Sequence, residues 1–512
     1  MVSKVLLEKN AYHDSVTLMS LSANIKKREG VRQAVVSMAT QMNKALLENI
    51  GMLTDEAEEA SENDLIIAIE ADTEELLQEI INSIKNQLNS KKASKKKDGS
   101  KIVKTVKAAL NEIDGANIAV ISVRGDYAAR EARQALNNGL HVMLFSDNVT
   151  IEEEKELKEL GREKGLLVMG PDCGTSIINQ VGLCFANKVR PGEIGLIAAS
   201  GTGLQEVTVQ IERLGYGISQ AIGVGGRDLN NDIGGIMMLE GLKALDADTR
   251  TEVIVLISKP PAVSVQEKIL NQIREISKPV VVCFLDGDAG EVEKAGAVFA
   301  PTLKKAAVAA IKALDPTVKL EEKENVYHEE WIAEQKEKLN ADQKYVRGLF
   351  CGGTLTSEAL MILRSHAQGI KSNAAKKEHE KLEDVSISVG NVLLDMGDDK
   401  FTFGKPHPMI EPSLRNERII QEAKDPETAV LLLDFELGYG SHDNPVGVTY
   451  DTLIEAQKIA QEAGRFLPII AYICGTYNDK QDYFEQEKML KDLNILVAES
   501  NEQAAKLAAK FL

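Results

Sequence analysis

The chain has 512 residues, a formal net charge of −18, and a composition that is 44% hydrophobic but only 4% aromatic. This length predicts three or four domains with sizeable hydrophobic cores. The net negative charge argues against nucleic acid as a main partner, because a phosphate backbone requires a basic surface. The five cysteines, at positions 173, 184, 283, 351 and 474, are too scattered to predict a disulfide framework or a zinc site.

No apolar run reaches the roughly 18 residues that a membrane helix needs, and the first residues lack the apolar segment and cleavage site of a signal peptide. We therefore expect a cytoplasmic protein that contacts neither membrane nor nucleic acid. The basic run at residues 91–97 is predicted to be a solvated linker, with a nucleic-acid role as the alternative.

The first 185 residues predict two domains of different kinds. Residues 1–90 alternate extended and helical segments, which indicates a small α+β domain. Residues 101–185 contain apolar strands separated by helices, which is typical of a Rossmann-like parallel sheet. One strand opens into the loop 170–175, and ligands bind at the carboxyl ends of such strands. We predict that Asp172 and Cys173 bind substrate there, although a small buried side chain is the favoured interpretation of Cys173.

A glycine-rich turn follows the apolar strand at residues 194–199 and opens a helix. Free backbone N–H groups and the positive end of the helix dipole make such a turn an anion site, most often for phosphate. The alternative is a tight turn that needs glycine only for its backbone angles. The pattern recurs at residues 351–354, which favours the phosphate interpretation. The predicted phosphate-binding residues are Ser200, Gly201, Thr202, Gly203, Gly352, Gly353 and Thr354.

The elements that follow each turn recur in the same order, which indicates a domain duplication. It predicts two flavodoxin-like, doubly wound α/β domains, at residues 190–315 and 343–512. A charged helical arm at residues 316–342, centred on Trp331, connects them. The two phosphate-type helix starts are expected to face a common site.

Three motifs within residues 116–310 resemble the α-subunit of the succinyl-CoA synthetase superfamily. They are Gly-Pro-Asp-Cys at 170–173, Ala-Ser-Gly-Thr at 199–202, and the pair Gly225 and Gly226. Residues 345–512 resemble the ligase domain of the β-subunit, so the chain is similar to two subunits fused together. The resemblance implies that residues 101–185 are a CoA-binding-type domain and that the two doubly wound domains are succinyl-CoA synthetase-like ligase domains. It also implies that the glycine pair contacts substrate.

The whole chain resembles the FdrA family more closely still. The matching stretches are residues 145–150, 163–176, 222–229, 258–261 and 407–410. This resemblance implies a component of a multi-subunit carbamoyltransferase, which handles carbamoyl phosphate and oxamate or oxalurate in allantoin and purine degradation. It implies operon-encoded partner subunits and a homodimer or hetero-oligomer. The expected ligand is carbamoyl phosphate or phosphate, without a tightly bound cofactor, and CoA is a further candidate ligand.

Two departures from the synthetase pattern bear on the reaction. In the synthetase, a histidine on a loop late in the first ligase domain carries phosphate between sites, whereas residues 283–297 here are short and contain no histidine. No stretch has the length or pattern of an ATP-grasp domain, which disfavours nucleotide-driven ligation by this chain alone. We therefore predict carbamoyl transfer. An acid–CoA ligase subunit that borrows its ATP-binding part from another chain is the alternative, and a metabolite-sensing scaffold is a third hypothesis.

Two residues are predicted to be catalytic. Arg227 is expected to contribute positive charge, and His407 is expected to hydrogen-bond the carbonyl or assist proton transfer. The alternatives are an internal salt bridge from Arg227 to Asp228 and a structural role for His407 in its proline-fixed loop. Asp398 and Asp399 are considered as metal ligands and set aside, because no complete ligand set surrounds them. The remaining predicted substrate-binding residues are Lys405, Arg415 and Asn416. A solvated loop is the favoured interpretation of the last two.

Overall fold

The computed structural model describes residues 2–11, 13–26, 28–94, 103–320, 326–402 and 405–512. They fall into two compact units. The N-terminal unit comprises residues 1–103 and 401–411, and the large unit comprises residues 104–400 and 412–512. No helix within the described ranges is both long and apolar enough to cross a membrane.

The N-terminal unit is built on a three-stranded antiparallel sheet in the order β1-β3-β2. Its elements are β1 (Val2–Glu8), α1 (Ser15–Lys26), β2 (Val31–Met38), α2 (Gln41–Asn49), α3 (Asp55–Glu58), β3 (Leu65–Ala71) and α4 (Glu74–Ser94). Because the central strand β3 is apolar on both faces, helices cover both sides of the sheet. Helices α1 and α4 pack on one face, and α2 and α3 pack on the other. The predicted small α+β domain is therefore present.

The end of α4 corrects the predicted linker. The helix continues to Ser94 and includes Lys91 and Lys92, the first lysines of the basic run. Residues 95–97 of that run lie outside the described residues. Lysine and alanine have good helix propensity, so they extend α4 instead of ending it.

The large unit begins with a small parallel sheet in the order β4-β5-β6, as expected for a Rossmann-like domain. Its elements are α5 (Val106–Leu110), β4 (Ile118–Ile121), α6 (Gly125–Asn137), β5 (His141–Leu144), α7 (Ile151–Lys164) and β6 (Val168–Met169). Helix α7 starts at a capping box formed by Thr150 and Glu153 and is followed by Gly165, whose φ is 66°. These local signals fix both ends of the helix.

The segment after β6 differs from the prediction. Strands β7 (Thr175–Ile178) and β8 (Val181–Cys184) form a hairpin that pairs with the following sheet and not with β6. The turn residues Asn179 and Gln180 have φ values of 50° and 69°, the positive φ that a tight two-residue hairpin turn requires. The hairpin therefore extends the first doubly wound sheet.

Two doubly wound sheets form the rest of the large unit. The first comprises β9 (Pro191–Ala198), α8 (Gly201–Arg213), β10 (Ile218–Gly223), α9 (Ile236–Ala247), β11 (Val253–Ser258), α10 (Val263–Ile273), β12 (Val280–Phe284), α11 (Ala289–Lys294), β13 (Val298–Phe299) and α12 (Leu303–Leu314). Its strand order is β13-β12-β11-β9-β10-β7-β8. Helix α13 (Val326–Glu337) follows it.

The second sheet repeats the plan with strand order β15-β16-β14-β17-β18-β19. Its elements are β14 (Tyr345–Phe350), α14 (Gly353–Arg364), β15 (Lys371–Ser372), β16 (Val392–Asp395), α15 (Asp399–Thr402), α16 (Asn416–Lys424), β17 (Thr428–Glu436), α17 (Pro445–Glu462), β18 (Ile469–Cys474), α18 (Tyr483–Asp492), β19 (Leu496–Ala498) and α19 (Asn501–Ala509), with 3-10 turns at Glu378–Glu380 and Pro412–Arg415. In each sheet, five parallel strands follow the flavodoxin-like order 2-1-3-4-5, which confirms the predicted fold class.

The two doubly wound sheets share one hydrophobic core. It includes Leu204 on α8, Leu355 on α14 and Leu507 on α19. Trp331 on α13 is buried in the same core, and its indole Nε1 donates to Asn494 Oδ1 at 3.3 Å. Within the described part of the predicted connecting arm, Val326–Glu337 is helical, and its tryptophan anchors it to the sheets.

Candidate functional site

The starts of α8 and α14 meet. Each helix follows the first of the five parallel strands that form the flavodoxin-like order of its sheet, where doubly wound folds bind ligands. The hydroxyl oxygens of Ser200 and Thr354 are 2.6 Å apart, and the Thr354 amide donates to Thr202 Oγ1 at 3.3 Å. Ser200 Oγ also caps α8 by accepting from the Gly203 amide at 2.9 Å. The structure therefore brings the two glycine-rich turns face to face, as predicted.

A carboxylate of the chain already occupies the α14 start. Asp434 on β17 accepts from the Cys351 amide at 2.7 Å and from the Gly352 amide at 2.9 Å. A Cβ on Gly353 would lie 2.3 Å from Asp395 Oδ2, so a second carboxylate sits against this turn. The prediction that Gly352 binds phosphate is wrong for its amide, because that N–H is already donated to Asp434. The roles of Gly353 and Thr354 stay predictions.

Arg415 and Asn416 do not form a substrate-binding or solvated loop. The Arg415 side chain is only 1% exposed and pairs with Asp434 at 3.0 Å. Asn416 starts α16, and its Nδ2 donates to the Val448 carbonyl at 3.2 Å. The prediction for both residues is corrected: Arg415 neutralises a buried carboxylate, and Asn416 links α16 to α17.

The α8 start lies open to the loop that follows β6. A Cβ on Gly201 would lie 3.7 Å from Gly174 Cα and 3.8 Å from Thr175 Oγ1, which is ordinary contact distance. Three N–H groups at a helix start lack partners within the helix, and the helix dipole favours a negative group beside them. The Gly203 amide is donated to Ser200 Oγ, so its predicted phosphate contact is wrong for its amide, as it is for Gly352. The amides of Gly201 and Thr202 keep the helix-start geometry that suits an anion, and their phosphate role, like that of the Ser200 side chain, stays a prediction.

Several charged side chains that follow strands of the large unit act on one another electrostatically. Asp172 follows β6; its carboxyl is accessible to solvent, but the surrounding protein removes much of its hydration. That desolvation, with the nearby charges of Asp147 and Asp399, raises the pKa of Asp172 to about 7. Burial raises the pKa of Asp395 to about 6, and the positive charge of Lys259 opposes this shift. Two carboxyl groups that titrate near neutral pH can exchange protons with a substrate.

Arg227 belongs to the same set of charges but not in the predicted pairing. Its guanidinium donates to the Val149 carbonyl at 2.7 Å and pairs with Glu154 at 2.9 Å. Asp228 instead pairs with the fully buried Lys158 at 2.8 Å. The proposed Arg227–Asp228 salt bridge is therefore wrong. The Arg227 charge lowers the pKa of Asp172, which places the guanidinium near that carboxyl, and its catalytic role stays a prediction.

Cys173 and the glycine pair have different environments. The Cys173 thiol is buried, and burial raises its pKa to about 11. It is therefore a small buried side chain and not a substrate ligand. Gly225 has a φ of 84°, and a Cβ there would lie 2.4 Å from the Pro171 carbonyl, so only glycine fits. Gly226 has no atom within 4 Å of its Cβ position and faces open space.

Lys405 and His407 lie in the segment of residues 401–411, which packs in the N-terminal unit. His407 Nδ1 accepts from the Met409 amide at 3.2 Å, and its carbonyl accepts from the Ile410 amide at 2.8 Å. Both hydrogen bonds stabilise the turn at residues 407–410, which agrees with the alternative that His407 has a structural role in its loop. Its catalytic role, and substrate binding by Lys405, stay predictions.

Sequence reasoning missed three charged residues of the site: Lys259, Asp395 and Asp434. Asp395 is the last residue of β16, and Asp434 interrupts the apolar run of β17. A charged residue in or at the end of a buried parallel strand is itself a signal of function, because it requires a partner.

Three family models match the chain. The model described as "AllF, heavy metal-associated domain" matches residues 1–105, "CoA binding domain" matches residues 189–285, and "CoA-ligase" matches residues 349–511. The CoA-binding match thus covers β9 to β12 of the first doubly wound sheet and not the Rossmann-like sheet of residues 101–185, for which a CoA-binding-type domain was expected. Residues 1–105 contain no cysteine, the ligand that soft metals prefer, so we assign no metal to them.

Together with the fold, the CoA-binding and CoA-ligase matches show a succinyl-CoA synthetase-like architecture. The chain is 48% identical over 514 residues to the Escherichia coli K12 protein YahF, covering 99% of this chain and 98% of that one. It belongs to the family of YahF.

More distant relatives cover part of the chain. It is 29% identical over 187 residues to subunit alpha 2 of the ADP-forming succinate–CoA ligase of Archaeoglobus fulgidus, which is 36% of this chain and 63% of that subunit. Among solved structures, PH0766 from Pyrococcus horikoshii OT3 aligns with a TM-score of 0.33 and 16% identity, over 81% of this chain and 87% of that one.

Proposed function

We propose that this chain is the acyl-transfer subunit of an acid–CoA ligase whose nucleotide-binding part is a separate, operon-encoded chain. The observation that carries the proposal is the contact between Ser200 and Thr354, which joins the α8 and α14 starts. The similarity to a succinate–CoA ligase subunit and the CoA-ligase match support the class. No stretch of the sequence has an ATP-grasp pattern, which is why a partner chain is part of the proposal.

The proposed reaction uses an acyl phosphate whose phosphate sits at the α8 start. The sulfur of CoA attacks the acyl carbon, and the bond between that carbon and the phosphate oxygen breaks. Asp172, with its pKa raised to about 7, accepts the proton of the thiol. The amides of Gly201 and Thr202 stabilise the charge that develops on the leaving phosphate.

Two observations on how phosphate could reach this site favour a second candidate reaction there. Helix α11 begins soon after β12, and residues 283–297 hold no histidine that could carry a phosphoryl group. At the α14 start, the Gly352 amide already donates to Asp434, so it cannot form a second phosphate-binding site. Both observations favour a phosphate that arrives on a small molecule. Carbamoyl phosphate is such a donor, and transfer to oxamate is the reaction implied by the resemblance to FdrA.

In that second candidate, the amide nitrogen of oxamate attacks the carbamoyl carbon. The bond to the phosphate oxygen breaks, the nitrogen gives up a proton to Asp172, and phosphate and oxalurate form. Only the nucleophile differs from CoA transfer, so one pair of assays separates the two candidates.

The test uses the full chain together with its operon-encoded partners. CoA binding is measured by calorimetry, and phosphate release is followed with acetyl phosphate plus CoA and with carbamoyl phosphate plus oxamate. CoA binding with release in the first assay supports the ligase subunit, and release in the second supports carbamoyl transfer. If a folded assembly does neither, both candidates fail and the sensing scaffold becomes the better hypothesis.

A further inference from the structure

One buried hydroxyl beside the α8 start has no partner. Thr175, the first residue of β7, is 1% exposed, and its Oγ1 makes no hydrogen bond to any described residue. The neighbouring Ser176 differs, because its Oγ accepts from the Gly223 amide at 2.9 Å. Buried hydroxyls are normally hydrogen-bonded, so this hydroxyl without an acceptor or donor points to a partner that is absent from the free chain.

The position of this hydroxyl indicates what the partner is. Thr175 Oγ1 and the Gly174 nitrogen both lie 3.8 Å from the Cβ position of Gly201, the first residue of α8. That space is bordered by the positive end of a helix 13 residues long. A group that accepts hydrogen bonds and carries negative charge satisfies both the helix end and the hydroxyl.

We infer that Thr175 Oγ1 donates a hydrogen bond to the phosphate group held at the α8 start. This inference rests on the proposed function and adds a residue to its site. The hydroxyl and the backbone amides approach from two different segments, the hairpin and the helix. A tetrahedral phosphate presents oxygens in both directions, whereas a planar carboxylate has only two oxygens in one plane.

The experiment uses the full chain and inorganic phosphate as the probe. Phosphate binding is measured by calorimetry for wild type, Thr175→Val and Thr175→Ser. We expect Thr175→Val to weaken binding about tenfold or more, because it removes a hydrogen bond to a charged group. Thr175→Ser keeps the hydroxyl and should bind within about threefold of wild type. Thr208→Val is the matched control, since Thr208 is a buried threonine on α8 whose Oγ1 donates to the Gln205 carbonyl.

Urea unfolding without phosphate gives a second readout that a structural hydroxyl would not produce. Because the Thr175 hydroxyl has no partner in the free chain, Thr175→Val should unfold at the same urea concentration as wild type or a higher one. Added phosphate should then stabilise wild type more than the variant.

The outcomes separate this inference from the function on which it rests. If wild type binds no phosphate, the proposed phosphate site fails as a whole. If wild type binds phosphate and Thr175→Val binds it equally well, only the inference about Thr175 is overturned. Equal losses in the serine and valine variants would also overturn it, because the threonine methyl group would then be responsible.

Discussion

The Ser200 side chain both caps α8 and contacts the start of α14. Its Oγ accepts from the Gly203 amide at 2.9 Å and lies 2.6 Å from Thr354 Oγ1. A capping serine at a glycine turn could be predicted from the sequence, because N-cap preference is local. The contact with Thr354 could not, because it joins residues 154 positions apart.

We expect Ser200→Ala to lower the free energy of unfolding by about 1 kcal/mol through loss of the cap and also to weaken phosphate binding. Ser500→Ala is the control, because Ser500 caps α19 by accepting from the Gln503 amide at 3.1 Å. Urea unfolding should show similar losses for both variants, whereas calorimetry should show weaker phosphate binding only for Ser200→Ala. Equal phosphate affinity in the two variants would contradict a role for Ser200 at the site.

Asp172 makes stability depend on pH. Its pKa rises from 3.8 to about 7 on folding, so between these values the folded chain holds a proton that the unfolded chain has lost. Stability from this group is therefore present at low pH and is lost as the pH rises through this window. We expect Asp172→Asn to lose less stability than wild type between pH 5 and pH 8, measured by urea unfolding. Asp451→Asn, on the exposed side of α17, is the control; matching slopes for wild type and Asp172→Asn would disprove the assignment.

At the scale of elements, α8 and α14 begin with the same kind of glycine-rich turn but have different neighbours. The Asp434 carboxylate contacts the α14 start, whereas Gly174 and Thr175 lie beside the α8 start. Apolar strands followed by glycine-rich helix starts were enough to predict both helices. The occupant of the second turn was not predictable, since Asp434 reaches it through the pairing of β14 with β17, in which Leu349 lies opposite Leu433. Such register between distant strands is set by tertiary packing and leaves no local pattern.

The Asp434 carboxylate should be replaceable by a small free anion. Asp434→Ala leaves two amides without their acceptor and the buried Arg415 guanidinium without its carboxylate, although that guanidinium keeps its bonds to the Leu349 and Asp434 carbonyls. Breaking a buried ion pair costs about 3–5 kcal/mol. Sodium formate fits the vacated space and should raise the melting temperature of the variant more than that of wild type. Sodium chloride at equal ionic strength is the control. If the variant folds only in formate, refolding yield replaces the melting temperature, and equal effects of both salts would refute the prediction.

The two turns should also respond oppositely to alanine. Gly353→Ala places a Cβ 2.3 Å from Asp395 Oδ2, so the carboxylate or the helix must shift, and the melting temperature should fall. Gly201→Ala meets its nearest neighbour at 3.7 Å and should fold normally, yet its methyl group enters the space beside the α8 start. Thermal melting and phosphate calorimetry together test the pair. A stable Gly353→Ala, or a Gly201→Ala that binds phosphate normally, would contradict the geometry.

On the scale of the whole molecule, the sequence repeat predicted two doubly wound sheets because the order of strands and turns is a local, countable pattern. Their shared core could not be predicted, because it depends on which helix faces meet. The hairpin β7–β8 was not predicted because its strands are short and show little periodicity. Its pairing also depends on tertiary structure, since β7 pairs with β10, which lies about forty residues further along the chain.

We expect the large unit to unfold in one transition that includes both sheets, since they share a core. The N-terminal unit has separate cores and should give its own transition. Trp331 is the only tryptophan and is buried in the shared core, so its fluorescence should follow the large unit alone, while far-ultraviolet circular dichroism follows both. Calorimetric melting that resolves the two sheets separately would show that the core does not couple them.

The core shared by the two sheets also fixes the stoichiometry of the site. Helices α8 and α14 belong to one polypeptide, so the contact between Ser200 and Thr354 forms once per chain whatever the protein concentration. Tethering replaces an association equilibrium with an effective concentration that dilution does not change. If the proposed acyl transfer occurs, activity per chain from a preformed acyl phosphate should therefore stay constant on dilution. Any step that needs the proposed nucleotide-binding chain should instead decline as the assembly dissociates.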